Sequence, residues 1–200
     1  MQSKKIVIQN CLINYIDEGT SSQTLLFLHG WRSSLTVWEE IIKDLKDSFR
    51  CIAIDLPGFG LSQEPPEPFN TKKYSEIVLE FTEKLSLKNV VPVGHSFGGR
   101  ILISIGISNP KKFSKMVLVN PSGVKLSSKN RARDLIVKIV KPVFKIGLLK
   151  PLRNWIYKKM GWEDYIANSG SQFYQATFKN ILTDTYNNSL SNIKSSVLVF

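Results

Sequence analysis

Short runs that are apolar at every position, separated by stretches of helical periodicity, constrain this chain more than any other feature. The runs are Leu25–Leu28, Cys51–Ile54, Val90–Val93, Met116–Val119 and Val197–Phe200. A strand with one wet face alternates apolar and polar residues. A strand apolar throughout is buried on both faces, as in a parallel sheet covered by helices. Between the runs, Val37, Trp38, Ile41, Ile42 and Leu45 share one helical face, and Thr36 with Glu39 offers a capping box. Tyr74, Ile77, Val78, Phe81 and Leu85 form a second stripe; Ile101, Leu102 and Ile105 begin a third, which Pro110 stops. Such alternation predicts right-handed βαβ units and an α/β fold of about five parallel strands. Lys5–Gln9 and Cys11–Ile16 read as an antiparallel hairpin at the sheet edge. Pro92 sits inside a predicted central strand, where it cannot donate to the ladder, so irregular pairing or a bulge is expected there.

After Pro121 the alternation lapses. Residues 122–190 read as helices and loops, and an apolar strand returns at 195–200. The organisation expected is a core over 1–121, a helical insertion over 122–190, and a return to the core over 191–200. The 42% hydrophobic content over 200 residues is ample for one domain's core. No apolar stretch approaches the roughly 20 residues of a membrane-spanning helix, and the N-terminus lacks a signal-peptide pattern. Cys11 and Cys51 match no metal or redox spacing and read as reduced, which makes a cytoplasmic address the default.

The net charge of +11 is uneven: residues 1–120 hold 14 basic and 12 acidic residues, and residues 121–200 hold 13 and 4. No nucleic-acid motif accompanies the charge, so no nucleic-acid partner is inferred. Lys138, Lys141 and Lys145 lie opposite the apolar face of Leu135, Ile136, Ile139, Val140 and Val143. Such a helix either covers a site with its apolar face or makes weak peripheral contact with an anionic membrane.

Gly94-His95-Ser96-Phe97-Gly98 is a G-x-S-x-G sequence between a predicted strand and a predicted helix. A nucleophile must project from a sharp turn, and the flanking glycines let neighbouring backbone pass close to it. Ser96 is therefore the candidate nucleophile, and the helix behind it favours developing negative charge. Acyl transfer also needs preorganised donors for the oxyanion. The N–H of Phe97 and that of Trp31, in the loop His29-Gly30-Trp31, are the candidates. Asp55-Leu56-Pro57-Gly58-Phe59-Gly60 follows another strand. There Asp55 reads as a structural acid that ties turn amides, with Gly58 and Gly60 building the turn.

Together the HGW segment, DLPGFGLS (Asp55–Ser62) and GHSFGGR (Gly94–Arg100) resemble the α/β-hydrolase family, in its serine branch with a helical lid. The resemblance spans essentially the whole chain. It implies an esterase, lactonase, thioesterase, C–C bond hydrolase or acyl transferase acting on a small-molecule substrate, with no metal or organic cofactor. A serine at the elbow, where the dehalogenase and epoxide hydrolase branches carry aspartate, argues against those two. The lid corresponds to 122–190, where Trp155, Tyr157, Trp162, Tyr165, Phe173 and Tyr174 are candidates for an acyl pocket or for packing.

The triad is incomplete in this reading. The family places its acid just past the strand ending at Phe200 and its histidine later still, and Asn120, an acid in some relatives, is not one here. His95 is the neighbour of Ser96 and is expected to point away from it; the resemblance gives His29 a structural role in the oxyanion loop. Triad acid and base are therefore assigned to no residue of this sequence, which reads as C-terminally truncated and of little activity by itself. Oligomeric state is not legible. A non-catalytic module binding anionic membrane through the basic segment is the alternative.

Overall fold

A computed structural model describes residues 1–124 and 172–200. Among the described residues seven strands form one sheet in the order β1-β2-β4-β3-β5-β6-β7. They are β1 (Lys4–Ile8), β2 (Cys11–Glu18), β3 (Thr24–Leu28), β4 (Arg50–Ile54), β5 (Val90–His95), β6 (Lys115–Val119) and β7 (Ser196–Val199). The five strands β3 to β7 run parallel, while β2 is antiparallel to both β1 and β4. The expected hairpin turns at Gln9 and Asn10, both with positive φ (47° and 61°), as a two-residue connection with the right twist requires.

The two faces of the sheet divide the apolar runs by parity. Leu26, Leu28, Ile52, Ile54 and Leu118 face α2 (Thr71–Lys84) and α3 (Phe97–Ser108). Phe27, Cys51, Ala53 and Val93 face a 3-10 turn at Leu35–Trp38 and α1 (Glu39–Leu45). This two-sided burial is why the central runs are apolar throughout. Both cysteines are buried and free, and burial pushes the Cys51 thiol up to about 11, so it stays protonated at neutral pH. Arg50 grips Asp17 through two 2.9 Å hydrogen bonds that tie β4 to β2. The same contact holds the Asp17 carboxyl below its ordinary range.

Four expectations are corrected. Pro92 needs no bulge: β5 pairs β3 in unbroken register, Leu26 opposite Pro92, and its pairing with β6 begins only at Val93. The capping box at Thr36 and Glu39 is not formed. Ser34 precedes the 3-10 turn without a side-chain cap, and its Oγ pairs with Thr36 Oγ1 at 2.7 Å instead. The tighter turn rotates Val37 and Ile41 out to solvent, so only Trp38 and Ile42 of the predicted stripe are buried, with Leu45 partly so. Finally β7, although apolar, is exposed along its length as the last strand of the sheet, with Phe200 72% exposed. A cavity of about 500 Å³ lies beside it, lined by Ile103, Leu118, Val124, Ile193 and Val197 among others.

Of the 122–190 stretch, the described part holds α4 (Gln172–Thr183) and a 3-10 turn at Asn187–Asn192. The basic segment 125–159 and the aromatic residues Trp155, Tyr157, Trp162 and Tyr165 lie outside the described residues. No described helix is long and apolar enough to cross a membrane.

Candidate functional site at the strand–helix elbow

Ser96 stands between β5 and α3 with φ 48° and ψ −105°, a conformation that costs a non-glycine residue on the order of 1–3 kcal/mol. The surroundings hold it there. Its N–H donates to Val119 at 3.0 Å, and its carbonyl accepts from Arg100 N–H (3.1 Å) and Ser122 N–H (3.0 Å). Close backbone approach explains the glycines. A Cβ on Gly94 would stand 2.6 Å from the carbonyl carbon of Gly98, and one on Gly98 would stand 2.3 Å from the carbonyl oxygen of Leu28. The elbow therefore packs directly on the neighbouring strand β3.

That packing brings the HGW loop alongside. Gly98 N–H donates to the His29 carbonyl at 3.1 Å. A Cβ on Gly30 would lie 3.4 Å from Ser96 Cβ. The ring of Trp31 meets that of Phe97 edge-on, centroids 5.4 Å apart. Neither the N–H of Trp31 nor that of Phe97 has a partner among the described residues. Preorganised amides without internal partners are what an oxyanion requires.

The structure gives His29 a full set of partners. It is completely buried; its Nδ1 contacts the Gly30 carbonyl at 2.7 Å and its Nε2 accepts from Leu56 N–H at 3.0 Å. A carbonyl only accepts, so the proton sits on Nδ1 and the ring is neutral. Burial holds its pKa below the ordinary histidine value. His29 thus pins the HGW loop to the loop after β4 and has no free nitrogen for proton transfer. A pH dependence follows. Below about 6.5 the unfolded chain takes up a proton that the folded ring refuses, so stability falls as pH drops through that value, by up to about 1.4 kcal/mol per pH unit. Urea midpoints at pH 7 and pH 5 check this, and the part of the slope due to residue 29 is expected to vanish in His29→Asn.

The ring of His95 lies beside the HGW loop. Its Nδ1 lies 3.0 Å, and the Cβ of Ser96 3.4 Å, from the same point beside Gly30. The left-handed φ at Ser96 breaks the alternation that would send neighbouring side chains to opposite faces. No hydrogen bond joins the two side chains among the described residues.

Asp55, 2% exposed, is the hub of the second loop. Its carboxylate accepts from Leu35 N–H (2.7 Å), Leu61 N–H (2.9 Å) and Asn14 Nδ2 (2.8 Å). Gly60, with φ +55°, leaves no room for a Cβ, which would fall 2.2 Å from the Asp55 carboxyl carbon. Asn14 was not singled out from the sequence. Its signal is a polar residue between Ile13 and Tyr15 in a strand, and it is buried. Gly58 (φ +85°) passes under Phe173, and the hydroxyl of Tyr174 donates to the Gly58 carbonyl. Both α4 aromatics thus pack on the DLPGFG loop. Trp31 lies at the centre of the cluster, 5.0 Å from Phe59 and 5.2 Å from Phe178 by ring centroids.

These loops and their order match a known family. Residues 23–142 fit the model of the alpha/beta hydrolase fold. The chain belongs to the alpha/beta hydrolase family. Among curated proteins, this family member is 39% identical over 102 residues to the uncharacterized hydrolase YugF of Bacillus subtilis (strain 168), covering 50% of the chain and 37% of that protein. It is 33% identical over 109 residues to haloalkane dehalogenase 2 of Mycobacterium bovis, covering 54% and 38%. The matched region thus spans well under half the length of these relatives. Among solved structures, a membrane phospholipase A described as a bacterial virulence factor superposes with a TM-score of 0.74 at 21% identity, over 99% of the chain and 68% of that protein. At that identity the likeness is one of fold.

Proposed function

We propose that this chain carries the nucleophile and oxyanion-binding part of a serine hydrolase that cleaves an ester or related acyl bond, C–C bonds included. Ser96 attacks the carbonyl carbon, and the N–H groups of Trp31 and Phe97 receive the oxyanion. Residues 1–121 and 191–200 supply the core, and 122–190 the cap. The observation that carries the reading is the strained conformation of Ser96 at the end of β5; the N–H groups of Phe97 and Trp31, which have no described partners, support it. Strain of this kind at a strand–helix turn is the mark of a nucleophile elbow. The relatives' names include a dehalogenase; a serine at the elbow favours acyl chemistry over halide displacement, because a serine ester is formed and hydrolysed by the same oxyanion hole.

No residue of this sequence is assigned as triad base or acid. His29 has both nitrogens engaged, and no hydrogen bond between His95 and Ser96 is found among the described residues. The chain is accordingly expected to release p-nitrophenol from p-nitrophenyl butyrate slowly and without a rapid burst, as Ser96 is acylated without the help of a base. Loss of that release in Ser96→Ala supports the nucleophile, and release unaffected by the substitution contradicts it. A rapid stoichiometric burst that disappears in both Ser96→Ala and His95→Ala would make His95 the base.

A further inference from the structure

Arg100 is a buried cation that the chemistry above does not use. It lies on α3, four residues beyond Ser96, and is 5% exposed. None of the ion pairs among the described residues involves it, and its Nε has no hydrogen-bond partner among them. A buried cation with no carboxylate in ion-pair contact is costly even with the Asp184 charge nearby, and such a group calls for an explanation.

Its surroundings supply one. Nη2 donates to the backbone carbonyl of Asp184, 84 positions away and directly after α4. The guanidinium carbon sits 5.9 Å from the centre of the Tyr186 ring. On the other side, a Cβ on Gly123 would lie 3.1–3.3 Å from Arg100 Cγ, Nε and Cζ, so the side chain is packed against the turn that leaves β6. The two turns also meet each other, Tyr186 N–H donating to the Gly123 carbonyl at 3.4 Å, and Ser122 N–H bonds the Ser96 carbonyl. The planar fork of arginine can hold a carbonyl and lie on an aromatic ring together, which a lysine cannot.

We propose that Arg100 is a positioning residue: it clamps the exit of α4 and the turn at 121–123 onto the elbow helix, and so sets the seat of α4. That helix places Phe178 and Tyr174 on Trp31, at ring-centroid distances of 5.2 and 6.4 Å. The clamp thereby fixes what covers the loop beside Ser96. Its consequence for catalysis rests on the reading of Ser96 and Trp31 given above. Its consequence for α4 does not, so the two can fail separately.

Hydrogen–deuterium exchange of the whole chain, read peptide by peptide by mass spectrometry, is the test. In Arg100→Met, which keeps the side chain's bulk but not its donors, amides of 172–186 are expected to exchange about tenfold faster, the scale of one lost charge-assisted hydrogen bond, while those of β3, β4 and β5 change less than about twofold. Tyr186→Leu leaves α3 intact and is expected to accelerate the same peptides, and it carries the test if Arg100→Met does not fold. Asp184→Asn removes a nearby carboxylate charge but keeps the backbone acceptor, and is expected to have a clearly smaller effect than Arg100→Met. The proposal is overturned by unchanged exchange at 172–186 in the folded variants, by a uniform rise across the sheet, or by an Asp184→Asn effect equal to that of Arg100→Met.

Discussion

Alanine in place of Asp55 is expected to lower the stability of the chain by about 3–5 kcal/mol, a large part of the 5–15 kcal/mol typical of a domain. The carboxylate is the shared acceptor of three donors: the amides of Leu35 and Leu61 and the side-chain amide of Asn14. Truncation leaves all three facing a cavity that water reaches poorly, and each unpaired donor costs roughly 1–3 kcal/mol. The same change unties the loop after β4 from the loop after β3, because Leu35 and Leu61 belong to those two loops. Asp55→Asn keeps one oxygen acceptor and is expected to cost less. Urea denaturation followed by circular dichroism gives the numbers. A loss under about 1 kcal/mol for the alanine variant would mean that the three donors find other partners.

Gly98→Ala is the second large effect. The new Cβ would stand 2.3 Å from the Leu28 carbonyl oxygen and 2.7 Å from its carbonyl carbon. Leu28 belongs to β3, which is paired on both sides, by β4 and β5, so it has nowhere to go. The helix must shift instead, which breaks the bond from Gly98 N–H to His29 and releases the strain that presents Ser96. Overpacking of this kind costs about 1–3 kcal/mol or more, and the variant is expected to lose Ser96-dependent ester cleavage even where it folds. Gly106→Ala is the control in the same helix. Its Cβ would meet first the side-chain atoms Met116 Cε, Ile193 Cγ1 and Ile193 Cγ2 at 3.2–3.3 Å, and side chains can give way where backbone cannot. It is expected to change stability by less than about 1 kcal/mol, since alanine also favours the helix. Equal losses from both substitutions would refute the close-approach account of the elbow.

Much of this architecture was legible because burial on two faces writes itself into sequence. The central runs are apolar throughout, and the α2 stripe of Tyr74, Ile77, Val78 and Phe81 is buried as its spacing requires. The elbow was legible for a different reason: glycines at 94 and 98 are demanded by backbone contacts that only a strand–helix turn creates. What escaped depends on distant parts of the chain meeting. Val37 and Ile41 have the right period, yet a 3-10 turn shifts their phase. The buried role of Asn14 depends on a carboxylate 41 positions later. Nothing local to Arg100 announces that turns at 121–123 and 184–186 close around it.

The most direct test of the account is to locate the acyl group. The chain, incubated with p-nitrophenyl butyrate, acid-quenched and digested, is expected to yield one butyrylated site, Ser96, that accumulates slowly and is absent from Ser96→Ala. Acylation spread over surface lysines, with residues 94–100 unmodified, would contradict the central claim that Ser96 is a preorganised nucleophile.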